Sequence, residues 1–293
     1  MSKSSSKLAL IISSRVGFML KMKPFLSTMI VSLSLMSMAG TLAEKDLETI
    51  RKHVKREGEA SEWTWVFFGD SITHGALHTY GWRSFPEIFE ERLRFEMNHV
   101  MDYVINSGNN GDNSGSCLNE HHYQRRVARY QPQVVIILIG CNDIVTKPIP
   151  VVKDNITKFV KRLRSDGIIP VLQTYNTIKF IENPDSDYIR RIMVRYGKFD
   201  EFNDALRQIA TEQDIILVDN YKRWKFYTAE PSIMDFWTDD PLHPSARGHL
   251  EIANEILRTF GMYDATSKYC SAIAGGPNPP EVDAALRKIE TAK

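Results

Sequence analysis

The chain has 293 residues, 43% hydrophobic and 25% charged, with 37 basic against 36 acidic side chains. These are the proportions of a soluble globular protein of one or two domains with a full-sized core. Without a concentrated Lys and Arg stripe it is excluded as a nucleic-acid binder, and its three cysteines, Cys117, Cys141 and Cys270, are too few for a disulfide framework. A Cys117–Cys141 bridge remains conceivable from spacing alone.

Residues 1–43 carry Lys3, Lys7, Arg15, Lys21 and Lys23 and no acidic group. An uncharged stretch from Pro24 to Ala43 follows, ending in small residues with Thr41-x-Ala43 as a cleavage site. This is the outline of a secretory signal peptide, with translation beginning at Met1, Met19 or Met22. An uncleaved anchor is the alternative, but the stretch is barely long enough to span and is diluted by Ser27, Thr28, Ser32, Ser34 and Ser37. Cleavage would leave 32 basic and 36 acidic residues, a net charge of −4, in a secreted or periplasmic protein. Once cleaved, the chain has no stable membrane insertion; its oligomeric state is not legible.

From residue 63 apolar runs alternate with amphipathic ones, the signature of an α/β fold with a parallel sheet. Strands are expected at Thr64–Phe68, Tyr103–Asn106, Val134–Ile139, Ile168–Gln173 and Ile215–Val218. The third is apolar on both faces and belongs mid-sheet, covered by helices on both sides. Helices are expected at Ser84–Met97, Asn119–Tyr130, Val151–Ser165, Glu201–Gln213 and Ser245–Phe260. Together they make a three-layer α/β/α sandwich around a five-stranded sheet, within a domain at 44–262. Residues 44–62 read as a leading outer helix, and 175–200 as a rim or lid. The tail, 263–293, reads as a linker followed by a short helix from Glu281.

Four segments lie just past strand ends or in a late loop, so all can meet at one sheet edge. They are Gly69-Asp70-Ser71-Ile72, Asn106-Ser107-Gly108-Asn109-Asn110-Gly111-Asp112, Gly140-Cys141-Asn142-Asp143 and Asp240-Pro241-Leu242-His243. Alone, the first is a strand-to-helix turn with Ser71 as helix N-cap. Together they supply what serine hydrolysis needs: a hydroxyl (Ser71), a base (His243), a carboxylate to orient it (Asp240) and oxyanion donors from Ser71 N–H, Gly108 N–H and the Asn142 amide.

The four blocks resemble those of the SGNH hydrolase superfamily, the GDSL lipases and esterases, over about residues 63–260. Ile72 stands in place of the Leu of the name. The resemblance implies a flavodoxin-like sandwich and ester hydrolysis through an acyl-enzyme without metal or cofactor. Its Ser, Gly, Asn and His fall on Ser71, Gly108, Asn142 and His243, and its aspartate on Asp240.

His74, Trp82, Asn109 and Asp143 are candidate substrate contacts, with Asn109 and Asp143 also able to support their loops. Asp70 is expected to organise the turn. Tyr80, Trp82 and Trp237 could stack on a sugar. His53, His74, His78, His99, His121, His122 and His249 read as surface or rim residues, because no spacing joins them into a metal site. Arg125 and Arg126 read as a solvated helix face. The expected activity is that of a secreted esterase removing a short acyl group, such as acetyl, from a small molecule or glycan ester. An envelope O-acetyltransferase, a lysophospholipase or thioesterase, or a non-catalytic binding module are the alternatives.

Overall fold

A computed structural model describes residues 40–57, 61–271 and 280–291. The expected signal segment, apart from 40–43, and the linker at 275–279 lie outside the described residues. Among the described residues no helix is long and apolar enough to cross a membrane.

The five expected strands form: β1 (Thr64–Gly69), β2 (Tyr103–Gly108), β3 (Val134–Leu138), β4 (Ile169–Gln173) and β5 (Ile216–Val218). They pair in parallel in the order β2-β1-β3-β4-β5. Because the chain passes from β1 outward to β2 and then back across to β3, the carboxyl end of β1 is a topological switch point, where such sheets open a crevice.

The helices, in chain order, are α1 (Leu42–Val54), α2 (Ser71–His74), α3 (Phe85–Glu91), α4 (Glu120–Arg126), α5 (Ile149–Ser165), α6 (Asp187–Tyr196), α7 (Phe199–Glu212), α8 (Asn220–Tyr227), α9 (Pro231–Trp237), α10 (Ala246–Phe260), α11 (Lys268–Ser271) and α12 (Pro280–Thr291). The α3 helix runs on into a π-helical turn at Arg92–Glu96, and α4 is followed by a 3-10 turn at Ala128–Tyr130, so two expected long helices are each split. The short helices α8 and α9 were not legible: at eight and seven residues, neither shows a full apolar stripe.

Alternation along β1 builds both layers. Trp65 and Phe67 face one side, where Trp65 meets Phe89 of α3 and Phe260 of α10, and Phe67 meets Phe85 and Phe89. Phe68 faces the other and packs on Phe159 of α5 at 4.9 Å between ring centres. Successive strand side chains point to opposite faces, so this single strand is nailed to both helical layers. Burying such a side chain stabilises by about 1.5–3 kcal/mol.

The rim reading fails for three histidines. His249 is buried under Phe85, whose N–H it accepts at 3.2 Å, and burial pushes its imidazole down to about 3. His53 and His99 sit at the amino end of the sheet beside Asp102, which accepts His53 Nε2–H at 2.7 Å and Trp65 Nε1–H at 3.0 Å. The conceivable disulfide is not formed: Cys117, Cys141 and Cys270 are each free and buried.

Candidate active site

The nucleophile turn is built by close approach. Gly69 and Gly108 are partners across β1 and β2, and α2 starts immediately above them. A Cβ on Gly108 would lie 2.2 Å from the His74 backbone nitrogen, and one on Gly69 would lie 2.5 Å from the Leu138 carbonyl oxygen. Only glycine lets β1, β2, β3 and α2 come this close.

The helix cap is Asp70 and not Ser71. Asp70 Oδ1 accepts the Ile72 N–H at 3.0 Å, which leaves the Ser71 hydroxyl for other work. Asp70 Oδ2 accepts the Tyr175 hydroxyl at 2.7 Å, and that hydroxyl in turn accepts the Cys141 N–H at 3.3 Å. The chain segments just past β1, β3 and β4 are thus tied together at one buried carboxylate. Burial raises this group to about 6, even though the Tyr175 and Ile72 donors pull the other way.

Ser71 Oγ lies 2.9 Å from His243 Nε2, and His243 Nδ1 lies 2.8 Å from Asp240 Oδ2. Asp240 Oδ1 accepts the backbone N–H groups of Leu242 and His243, each at 2.7 Å, so the carboxylate is clamped before it meets the imidazole. Burial alone would raise Asp240, but the bond and charge of His243, the Tyr188 hydroxyl and the backbone donor outweigh it and hold the carboxyl well below its usual range. It therefore stays an acceptor, which fixes the proton on His243 Nδ1 and leaves Nε2 free to take one from Ser71.

Sequence reading missed three side chains around this group. Tyr188 on α6 donates to Asp240 Oδ2 at 2.6 Å; burial and that carboxylate push its hydroxyl well up, so it remains a donor. The expected rim at 175–200 supplies it, although nothing in the pattern singled it out. His78 stacks on His243 with ring centres 3.7 Å apart and planes within 4°, and bonds Asp239 through Nδ1 at 2.8 Å. Arg195, also on α6, holds the Cys141 carbonyl and Asn142 Oδ1, both at 3.1 Å.

Of the expected oxyanion donors, Ser71 N–H lies in the first turn of α2, where no intrahelical acceptor exists. Gly108 N–H donates to Asn106 Oδ1 at 3.0 Å, and Asn142 Nδ2 to the Asp112 carbonyl at 2.8 Å. The Asn142 amide keeps a second hydrogen, and an arriving oxyanion must compete with Asn106 for Gly108.

Arg126 is not a solvated face: it is clamped to Asp112 and to the Ser107 and Gly69 carbonyls, and its guanidinium lies over Phe68 at 4.4 Å. Asp143 is 2% exposed, with its oxygens on Ser114 N–H and Lys147 Nζ, so the structure places it in loop support and away from any substrate surface. Trp237 is fully buried against Trp224 and can stack on no sugar. His74, Trp82 and Asn109 are exposed. Among the described residues two groups bring metal-ligand atoms within 4.8 Å of one another, His53 with His99 and Asp102, and His78 with Asp240 and His243. In both, N–H and O–H donors already occupy the carboxylate where a cation would sit.

The profile of the GDSL-like Lipase/Acylhydrolase family matches residues 67–250. An uncharacterized protein of Mycoplasma pneumoniae is 25% identical over 251 residues, 78% of this chain, but the chain spans only 27% of that protein's length. The acetylxylan esterase of Geobacillus stearothermophilus is 26% identical over 218 residues, 67% of this chain and 93% of that one. A crystal structure of an acetylxylan esterase from the same organism superposes with a TM-score of 0.53 at 19% identity, covering 70% of this chain and 98% of the other. That likeness is one of fold.

Proposed function

Because the chain belongs to the GDSL-like lipase/acylhydrolase family, we propose that it is a serine esterase which removes a short acyl group from a carbohydrate ester through an acyl-enzyme on Ser71. The observation that carries the reading is the unbroken line from Ser71 Oγ to His243 Nε2, at 2.9 Å, and from His243 Nδ1 to Asp240 Oδ2, at 2.8 Å. As Ser71 Oγ bonds to the acyl carbon, its proton passes to His243 Nε2, and Asp240 stabilises the imidazolium. The carbonyl oxygen becomes an oxyanion held by Ser71 N–H, Gly108 N–H and Asn142 Nδ2. Collapse expels the alcohol, which takes the proton from His243. Water then attacks the acyl carbon with His243 as base, releasing the acid and restoring Ser71.

A short acyl group is favoured because His74 and Asn109, in the loops that carry Ser71 and Gly108, are polar and exposed. A carbohydrate is favoured by the acetylxylan esterase relative and by the exposed Tyr80 and Trp82 beside the site. Export is favoured by the basic and then apolar pattern of residues 1–43.

The test is hydrolysis of phenyl acetate, phenyl octanoate and acetylated xylan by wild type and Ser71→Ala. Acetate turnover that drops by roughly 10³-fold or more in Ser71→Ala supports the reading. Equal rates in the two proteins, or a preference for octanoate, would overturn it.

A further inference from the structure

A cleft of about 360 Å³ is walled by His78, Tyr80, Trp82, Asp235, Asp239 and Arg247. His78 is the shared wall. It also stacks on His243 with ring centres 3.7 Å apart, so one residue borders both the cleft and the imidazole of the proposed triad. His78 Nδ1 lies 2.8 Å from Asp239 Oδ2, and Nε2 has no partner among the described residues.

The loop that carries His78, Tyr80 and Trp82 is held in an uncommon conformation. Tyr80 has φ +54 and Gly81 φ +83, two successive left-handed residues, which is rare for a bulky side chain and persists only where surrounding contacts enforce it. Here the Tyr80 hydroxyl donates to Asp239 Oδ1 at 2.7 Å. The consequence is that Tyr80 and Trp82 stand 79% and 54% exposed at the mouth of a cleft that also holds two carboxylates and a guanidinium. A single exposed aromatic needs no explanation, but two beside two carboxylates and a guanidinium do, even with Asp235 paired to Lys179 and Arg247 to Glu251. A sugar ring has a C–H face that stacks on an aromatic and a rim of hydroxyls that both donate and accept, and this lining answers both. An acyl chain there would desolvate Asp235, Asp239 and Arg247 for no return.

We propose that this cleft binds the sugar unit next to the one bearing the ester, so that the substrate is an acylated oligosaccharide or polysaccharide and not a lone sugar. The proposal rests on the esterase reading, because a neighbouring unit has meaning only relative to Ser71.

Its test compares acetylated xylose with acetylated xylotetraose for wild type, Trp82→Ala and Trp82→Tyr, with thermal unfolding to check that each variant is folded. Wild type is expected to prefer the tetraose by about tenfold or more in kcat/KM, the size of a good stacking contact. In Trp82→Ala that ratio collapses to within roughly twofold of one, with the loss in KM, and Trp82→Tyr restores most of it. Calorimetric titration of unmodified xylotetraose into Ser71→Ala and into Ser71→Ala/Trp82→Ala reads the cleft without chemistry; binding weakened about tenfold by the second change is expected. A wild type indifferent to chain length, a ratio that Trp82→Ala leaves alone, or tetraose binding that Trp82 does not affect would overturn the proposal. Sugar binding that depends on Trp82 in a protein that hydrolyses no acetate would instead overturn the esterase reading and leave the cleft standing.

Discussion

A buried carboxylate at the nucleophile turn has a thermodynamic signature. Asp70 is 1% exposed, and burial raises it to about 6, above the ordinary value of 3.8 that it regains on unfolding. Between these values the folded state holds the extra proton, so this group's contribution to stability is fully present below about pH 4 and is lost as pH rises through about 6. Relative to Asp70→Asn, which does not titrate, wild type is expected to lose up to about 3 kcal/mol between pH 4 and 7.5, read from urea unfolding at the two ends. A difference that does not change with pH would show the carboxylate to be solvated. Tyr188 has a kinetic signature. Its hydroxyl reaches Asp240 at 2.6 Å, so Tyr188→Phe removes a bond to a charged group and is expected to lower kcat about tenfold with little change in KM. Steady-state kinetics on phenyl acetate decides it; a rise in KM alone would place Tyr188 in substrate binding.

Elements here do their work by where they end. The order β2-β1-β3 sets the Ser71 turn between the ends that carry Gly108 and Asn142, so expected donors flank the expected nucleophile without any long-range loop. Close packing of α2 on β2 is the cost of that arrangement. Gly108→Ala would drive a Cβ to 2.2 Å from a backbone nitrogen that cannot move alone, so α2 must shift and carry Ser71 with it. The expected result is at least about a hundredfold loss of kcat/KM, since a displacement near 1 Å has that effect. The β1 strand is the matching stability element. Phe68→Ala leaves a cavity against Phe159 and beneath the Arg126 guanidinium, and is expected to cost about 3–5 kcal/mol in chemical unfolding.

At the scale of the molecule, charge and destination are linked. If residues 1–43 are removed on export, the mature chain carries 32 basic and 36 acidic residues and its mass begins at Glu44. Expression in a secreting host followed by intact-mass measurement checks this, and an exported chain still holding residues 1–43 would sink it. Much else was legible before folding was considered. The five strands and the three glycine turns after β1, β2 and β3 could be named because a buried parallel strand is a run of apolar side chains and a sharp turn needs glycine, both local demands that leave local marks. Ser71, Gly108, Asn142, Asp240 and His243 could be nominated because each lies in a short block beside a strand end or a helix start. Tyr188, Arg195, His78, Tyr80 as the holder of Asp239, and Arg126 as a buried clamp left no such mark. What each does depends on a partner many residues away, from Arg126 on the β1 carbonyl to Tyr80 on Asp239, 159 positions apart. The sequence by itself determined the layers of the fold and the groups suited to the chemistry. Tertiary structure alone decided which donors already have acceptors, which histidine lies against the imidazole and which aromatics face water, because those depend on distances that no spacing along a chain encodes.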